Sequence, residues 1–347
     1  MQKAVKRSST HRAHSRPRAP WRAGWAIVLG VWSASFPAAG GDPRTSANAP
    51  AMAARVPAAD EAAVLKLPHT EVENVRLVLL PANVQDRRGR IVRGLSRDDF
   101  RLYEDQIPQE IKYFTVEDRE AIEVAFMLDV SGSMRHAGKL DEAKQAIEYF
   151  LSAFRPKDRF ALICFADEQV SRVTEFTADR QRFLERLRVQ EGYGQTALHD
   201  AVAAAPALVE ETGTGKKAII LITDGVDNAS RLGPDETVAL ARRASVPIYT
   251  IGFTYVPEGV LRRGETQTNL KVLERFAEET GGAMYPVRDP DDLKDAIARI
   301  VDELRYQYVI GYYPARDRWD GTYHRVRLEA RHRGVEVRTR RGYFATP

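Results

Sequence analysis

The chain has one cysteine, Cys164, in 347 residues, so it forms no internal disulfide and its fold needs no cross-link. It also lacks an uncharged apolar run of the roughly 20 residues that a membrane span takes, which excludes a polytopic membrane protein. Glycine and proline are sparse, at 23 and 18 positions, while hydrophobic residues make up 44%. A collagen-like or wholly disordered chain is thereby excluded, and a sizeable core is expected. No acidic residue occurs before Asp42, whereas Lys3, Lys6, Arg7, Arg12, Arg16, Arg18 and Arg22 all do. Taking these positive charges out of the formal net charge of +4 leaves the remainder mildly acidic. Basicity therefore belongs to the leader, and the composition offers no nucleic-acid partner.

The leader reads as an export signal. Its basic stretch is followed by an apolar run, Ala23–Phe36, short for a membrane span, and then by the small residues Ala38, Ala39, Gly40 and Gly41. No Arg pair precedes the run, which favours the general secretory route, and no cysteine follows it to accept a lipid. The expected location is periplasmic, cell-surface or secreted; an uncleaved N-terminal anchor is the other reading and the one route to a membrane. Residues 1–41 are thus read as signal peptide or anchor. Residues 42–69, rich in Ala, Pro and small polar residues, are read as a flexible linker.

From residue 70 to 118 the pattern is of short strands. Val75–Leu80 and Ile91–Val92 flank the turn signal Asp86-Arg87-Arg88-Gly89-Arg90, and Phe100–Glu104 and Gln109–Phe114 follow. Such a piece is too short to bury a core alone. From 119 to 305 apolar runs alternate with helical periodicity. Strands are predicted at Ile122–Asp129, Arg159–Phe165, Lys217–Thr223, Pro247–Phe253 and Ala283–Val287. Helices are predicted at Lys139–Phe154, Asp179–Leu187, Thr196–Glu210, Asp235–Ala244, Leu270–Glu279 and Pro290–Leu304. This is the signature of an α/β fold with a doubly wound, mostly parallel sheet covered on both faces. From 306 to 347 alternating strands return at Tyr306–Tyr313, Tyr323–Ala330 and Val335–Arg341. Neither β flank is large enough by itself, so the two are expected to pack together as one β-sandwich. Cys164 falls within an apolar strand, where core packing accounts for it.

In a doubly wound sheet, ligands gather where loops leave the carboxyl ends of the strands. Ile122–Asp129 runs into Asp129-Val130-Ser131-Gly132-Ser133, Thr196 opens a helix, and another strand ends in Thr223-Asp224-Gly225. Together Asp129, Ser131, Ser133, Thr196 and Asp224 offer only hard oxygens. That set suits Mg2+, Mn2+ or Ca2+ better than zinc or copper, which favour Cys and His.

Asp129-x-Ser131-x-Ser133 with Thr196 and Asp224 resembles the metal-ion-dependent adhesion site of von Willebrand factor type A (VWA) domains. The flanks are similar to those of the bacterial VWFA-related family, through Gly94-Leu95-Ser96-Arg97-Asp98-Asp99-Phe100, Gly311-Tyr312-Tyr313-Pro314 and Arg341-Gly342-Tyr343-Phe344-Ala345. The resemblance implies a Rossmann-like VWA fold. It also implies a cation site in which Ser131, Ser133 and Thr196 bind directly or nearly so, while Asp129 and Asp224 act largely through water. The implied partner is a protein or peptide presenting an Asp or Glu carboxylate, and the expected role is adhesion-like binding without enzymatic activity. A VWA accessory subunit assisting an ATPase-driven assembly complex is the alternative.

Other motifs fail on spacing. Gly213-Thr214-Gly215-Lys216-Lys217 lacks the first glycine of a phosphate loop and precedes a strand where such a loop must follow one. No G-x-S-x-G places a nucleophile on an elbow. His136 and His199 are read as a surface and a helix-face histidine, and Thr254–Thr268 as a long loop.

Overall fold

The computed structural model describes residues 76–210, 216–243, 246–254, 263–315 and 319–346. The leader, the linker and the Gly213-Thr214-Gly215 motif lie outside the described residues. The N-terminal flank forms β1 (Val78–Asp86), β2 (Phe100–Glu104), β3 (Ile107–Gln109) and β4 (Tyr113–Glu117). The middle of the chain starts with β5 (Ile122–Asp129), α1 (Lys139–Ser152), β6 (Arg159–Ala166), β7 (Gln169–Thr177), α2 (Arg180–Arg188) and α3 (Leu198–Glu210). It continues through β8 (Lys216–Thr223), α4 (Pro234–Ala241), β9 (Ile248–Phe253), α5 (Arg263–Thr280), β10 (Met284–Val287) and α6 (Pro290–Arg305). The C-terminal flank adds β11 (Gln307–Tyr312), β12 (Tyr323–Ala330), β13 (Val335–Arg338) and β14 (Gly342–Phe344).

Every residue of β5 is buried, which requires cover on both faces of its sheet. That sheet has the order β10-β9-β8-β5-β6-β7. All its pairings are parallel except β6 with β7. Alternate side chains of β5 enter two separate cores. Val124, Phe126 and Leu128 pack with α1, α2 and α6 residues such as Phe150, Phe183 and Ile300. Ala125 and Met127 pack with Leu198, Val202, Leu273 and Phe276 of α3 and α5 on the opposite face. Phe126 meets Phe150 at 5.5 Å, edge to face.

Because β6 lies on one side of β5 and β8 on the other, the chain reverses its winding direction at the carboxyl end of β5. The crevice that such a reversal opens is where doubly wound folds place their sites.

The remaining strands form two four-stranded antiparallel sheets, β13-β1-β11-β4 and β14-β12-β2-β3. Each sheet takes strands from both ends of the chain, and Leu80, Phe100, Leu102, Tyr308, Tyr312 and Leu328 lie in the core they share. Neither flank has a hydrophobic interior without the other.

The structure differs from the sequence reading at several edges. β1 runs from Val78 to Asp86, later and longer than Val75–Leu80, and Ile91 makes only a single bridge to Gln85. β7 was not predicted: its side chains are mostly half exposed and it caps the sheet edge antiparallel, so no continuous apolar run marks it. α5 begins at Arg263, inside the segment read as a loop, because the polar stretch before Leu270 continues the same helix. Among the described residues no helix is long and apolar enough to cross a membrane.

Candidate metal centre

Asp129 is the last residue of β5, and its neighbour in the sheet is the end of β8, where Leu128 pairs with Ile222. The same register brings the Thr223 hydroxyl beside Asp129, where it donates to Oδ2 at 2.6 Å. The backbone then turns sharply, and the Ser131 amide donates to Asp129 Oδ1 at 2.9 Å. Both carboxylate oxygens are thereby held in place. A 3-10 turn over Gly132–Gly138 follows, and the Ser131 and Ser133 hydroxyls stand 3.0 Å apart.

The loop carrying Thr196 is stitched to this turn by backbone bonds. Tyr193 N donates to Val130 O at 2.8 Å and Gly132 N to Gly194 O at 3.0 Å. Gly194 has φ 66°, and a Cβ there would come within 2.4 Å of the Asp167 carboxylate. That carboxylate accepts from Gln195 N at 2.6 Å. The tight approach therefore requires glycine at 194.

Thr196 is 1% exposed. Its amide donates to Asn228 Oδ1 at 2.8 Å, and its carbonyl accepts from Asn228 N and Ala229 N. Its hydroxyl makes no hydrogen bond among the described residues.

Asp224 follows β8 directly. Its Oδ1 accepts from Val226 N at 3.3 Å, and its Oδ2 accepts from Lys139 Nζ at 2.7 Å. Gly225, at φ 74°, lets the chain leave without a side chain against Leu273 and Asn269.

The structure thus brings Asp129, Ser131, Ser133, Thr196 and Asp224 to one rim, on three loops laced to one another. Burial pushes the Asp129 carboxyl up to about 7; the nearby Asp224 charge adds to this, and the Thr223 and Ser131 hydrogen bonds oppose it. The charge of Asp224 is felt at Asp129, and a cation near both would relieve that repulsion. The donor set is all oxygen, and the Thr196 hydroxyl makes no hydrogen bond among the described residues. The residues fit a hard divalent ion such as Mg2+.

The histidines stand apart from these oxygens. His199 Nδ1 meets Leu232 O at 3.1 Å, and its amide donates to Asp227 and Ser230, so it belongs to the start of α3. His136 is exposed in the 3-10 turn.

Sequence reasoning missed Lys139, Thr223 and Asn228. Thr223 carried a signal, since a hydroxyl one residue before Asp224 sits level with Asp129 in adjacent parallel strands. Lys139 carried none, because a lysine opening an amphipathic helix looks solvent-exposed.

A doubly wound sheet with a rim of hydroxyls and carboxylates at its winding reversal defines a class of α/β domains whose candidate site lies at that rim. The von Willebrand factor type A domain family matches residues 123–299, half of the chain, and the chain belongs to that family.

An uncharacterized protein of Borreliella burgdorferi is 28% identical over 194 residues, covering 50% of this chain and 56% of that protein. UPF0353 protein MAV335 of Mycobacterium avium is 25% identical over 209 residues, covering 54% of this chain and 62% of that one. The chain therefore spans less than two thirds of the length of these curated relatives. Among solved structures, the conserved hypothetical protein BatB from Bacteroides thetaiotaomicron is 20% identical with a TM-score of 0.42. That match covers 53% of this chain and 98% of that one.

Proposed function

We propose that this is an exported VWA-domain protein that binds a protein or peptide ligand through a divalent cation held by Asp129, Ser131, Ser133, Thr196 and Asp224. The observation that carries the proposal is the convergence of these oxygens from three loops on the rim beside Asp129. VWA domains are typically interaction modules rather than enzymes, and the site fits that use. Beside its hydroxyls and carboxylates stands only the Lys139 ammonium on Asp224, and among the described residues no histidine is poised against a nucleophile.

Mg2+ prefers about six oxygens and dehydrates reluctantly. Three neutral hydroxyls compensate little of its charge, and Asp224 already shares its carboxylate with Lys139. A carboxylate brought by a partner compensates more than any neutral polar group, because it carries full charge to a partly dehydrated ion. The partner is therefore a protein or peptide with an exposed Asp or Glu. Export rests on the basic and apolar leader within residues 1–41.

The test is affinity capture from the envelope fraction and the culture medium in Mg2+, with EDTA as control. The expected result is a partner that is retained with metal and released by EDTA. It should be lost on Thr196→Ala and on alanine substitution of the partner's acid. Capture that survives EDTA and both substitutions overturns the proposal. Fractionation with N-terminal sequencing tests export directly.

A further inference from the structure

Lys139 is out of place by ordinary rules. It is the first residue of α1, where the unpaired amides of a helix start disfavour a positive charge. The acids of the same turn, Asp141 and Glu142, are exposed and half-buried, while the lysine points inward, its side chain only 4% exposed. The backbone that turns it inward is itself unfavourable: Ala137 has φ 56° and Gly138 φ 73°, and Ala137 is not a residue that adopts the left-handed region readily. No side chain caps the helix at Gly138.

Nothing in the packing of α1 requires this. Leu140, Ala143, Ile147 and Phe150 fill the core from the same helix without it. A buried ammonium costs several kcal/mol unless it is paired. Among the described residues it donates to Asp224 Oδ2 alone, and Asp224 is equally buried, at 3%.

We propose that Lys139 is an internal cation of the metal centre, competing with the divalent ion for Asp224 and keeping the ion's affinity low until a partner's carboxylate arrives. The inference presupposes the metal centre proposed above. It follows from charge. Asp129 and Asp224 together would neutralise a divalent ion and leave little demand for an outside anion. With Lys139 against Asp224, the occupied centre keeps one net positive charge. A single carboxylate from the partner brings it to zero. Lys139 also holds Asp224 in position when no ion is present, so that the buried carboxylates are not left to repel each other.

The experiment uses the full chain and metal alone as the probe. Mn2+ and Mg2+ are titrated into the wild type, Lys139→Met and Lys139→Gln, with dissociation constants read by calorimetry and by the metal-dependent shift in thermal melting. Lys139→Met removes the charge and the donor. Lys139→Gln removes the charge but keeps a donor for Asp224, so it remains informative if the methionine variant folds poorly.

The expected result is affinity about tenfold tighter or more in both variants, since one positive charge has been taken from beside the ion in a poorly screened site. Binding seen in the variants and not in the wild type also supports the proposal. Equal or weaker affinity in the variants, with a wild type that binds metal, overturns it and leaves the metal centre standing. If no form binds metal, and Asp129→Ala behaves as the wild type does, the metal centre itself fails and this inference with it.

Discussion

The carboxylate of Asp158, in the turn that enters β6, receives both terminal guanidinium nitrogens of Arg305, the last residue of α6 and 147 residues further along the chain. It also accepts from the amide of Ile122 at 3.0 Å, at the start of β5. One buried acid thus ties together the entrances of two central strands and the exit of the last helix. Burial raises its pKa. The hydrogen bonds from Arg305, Ile122 and Arg155 outweigh that and hold the carboxyl below the usual range.

The sign of the pH dependence follows. A carboxyl depressed in the folded state contributes stability above its unfolded pKa of about 3.9, and that contribution is lost as pH falls below it toward the lowered folded value. Urea melts of the wild type should therefore weaken progressively below about pH 4. In Asp158→Asn this part of the acid dependence should vanish. Arg305→Met, which leaves the acid buried and unpaired, should cost about 3–5 kcal/mol at neutral pH.

Glu303, 1% exposed, joins α6 to the sandwich and to β10. Its Oε1 accepts from Gln85 and Tyr285, each at 2.5 Å, and from Arg338 at 3.1 Å. Burial, reinforced by the Glu303 charge, keeps the Tyr285 phenol protonated far above its ordinary pKa. Glu303→Ala strips three donors of their acceptor and takes from Arg338 its buried acid, leaving it Gln85 and the exposed Glu336, so a loss of about 3 kcal/mol or more is expected in urea unfolding. Tyr285→Phe should cost far less.

Metal should stabilise the fold through the proposed site. A ligand at a hundred times its dissociation constant adds about 2.7 kcal/mol. Melting curves in Mg2+ and in EDTA should separate for the wild type and coincide for Asp129→Ala. Thr196→Ala should reduce the separation while leaving the EDTA curve nearly unchanged, since the hydroxyl makes no hydrogen bond among the described residues.

Removing residues 306–347 should leave a chain that self-associates. β11 lies between β1 and β4, and β12 between β2 and β14, so the deletion takes the inner strand from one sheet and the partner of β2 from the other. Leu80, Phe100 and Leu102 would then face water. Size-exclusion chromatography should show oligomers or aggregate, and a well-folded monomer would contradict the shared core.

Cys164 is buried, and burial pushes its thiol up to about 12. The thiolate is the reactive form. Maleimide at pH 7–8 should leave it unlabelled in the native protein and modify it fully in denaturant.

How far the sequence reaches can be judged at β5. Eight apolar or pairing residues ending in Asp129 can satisfy their side chains only inside a sheet covered on both faces, and the alternation with helices then settles the winding. That Asp129, Ser131, Ser133, Thr196 and Asp224 would meet was legible for the same reason: residues at strand ends gather at one rim whatever the details of packing. β7 was not legible, because an edge strand needs burial on only one face and its pattern is correspondingly weak.

By itself, then, the sequence determined the α/β core, the pairing of the two β flanks and the identity of the rim oxygens, because periodicity and strand-end position are local properties of the chain. Only the tertiary structure decided that Lys139 is buried against Asp224, that Thr223 holds Asp129, that Arg305 closes on Asp158 and that Glu303 gathers Gln85, Tyr285 and Arg338. Each of these depends on which distant residues share a desolvated space. A charge that looks solvated in sequence becomes a partner or a penalty only when the fold has removed the water around it.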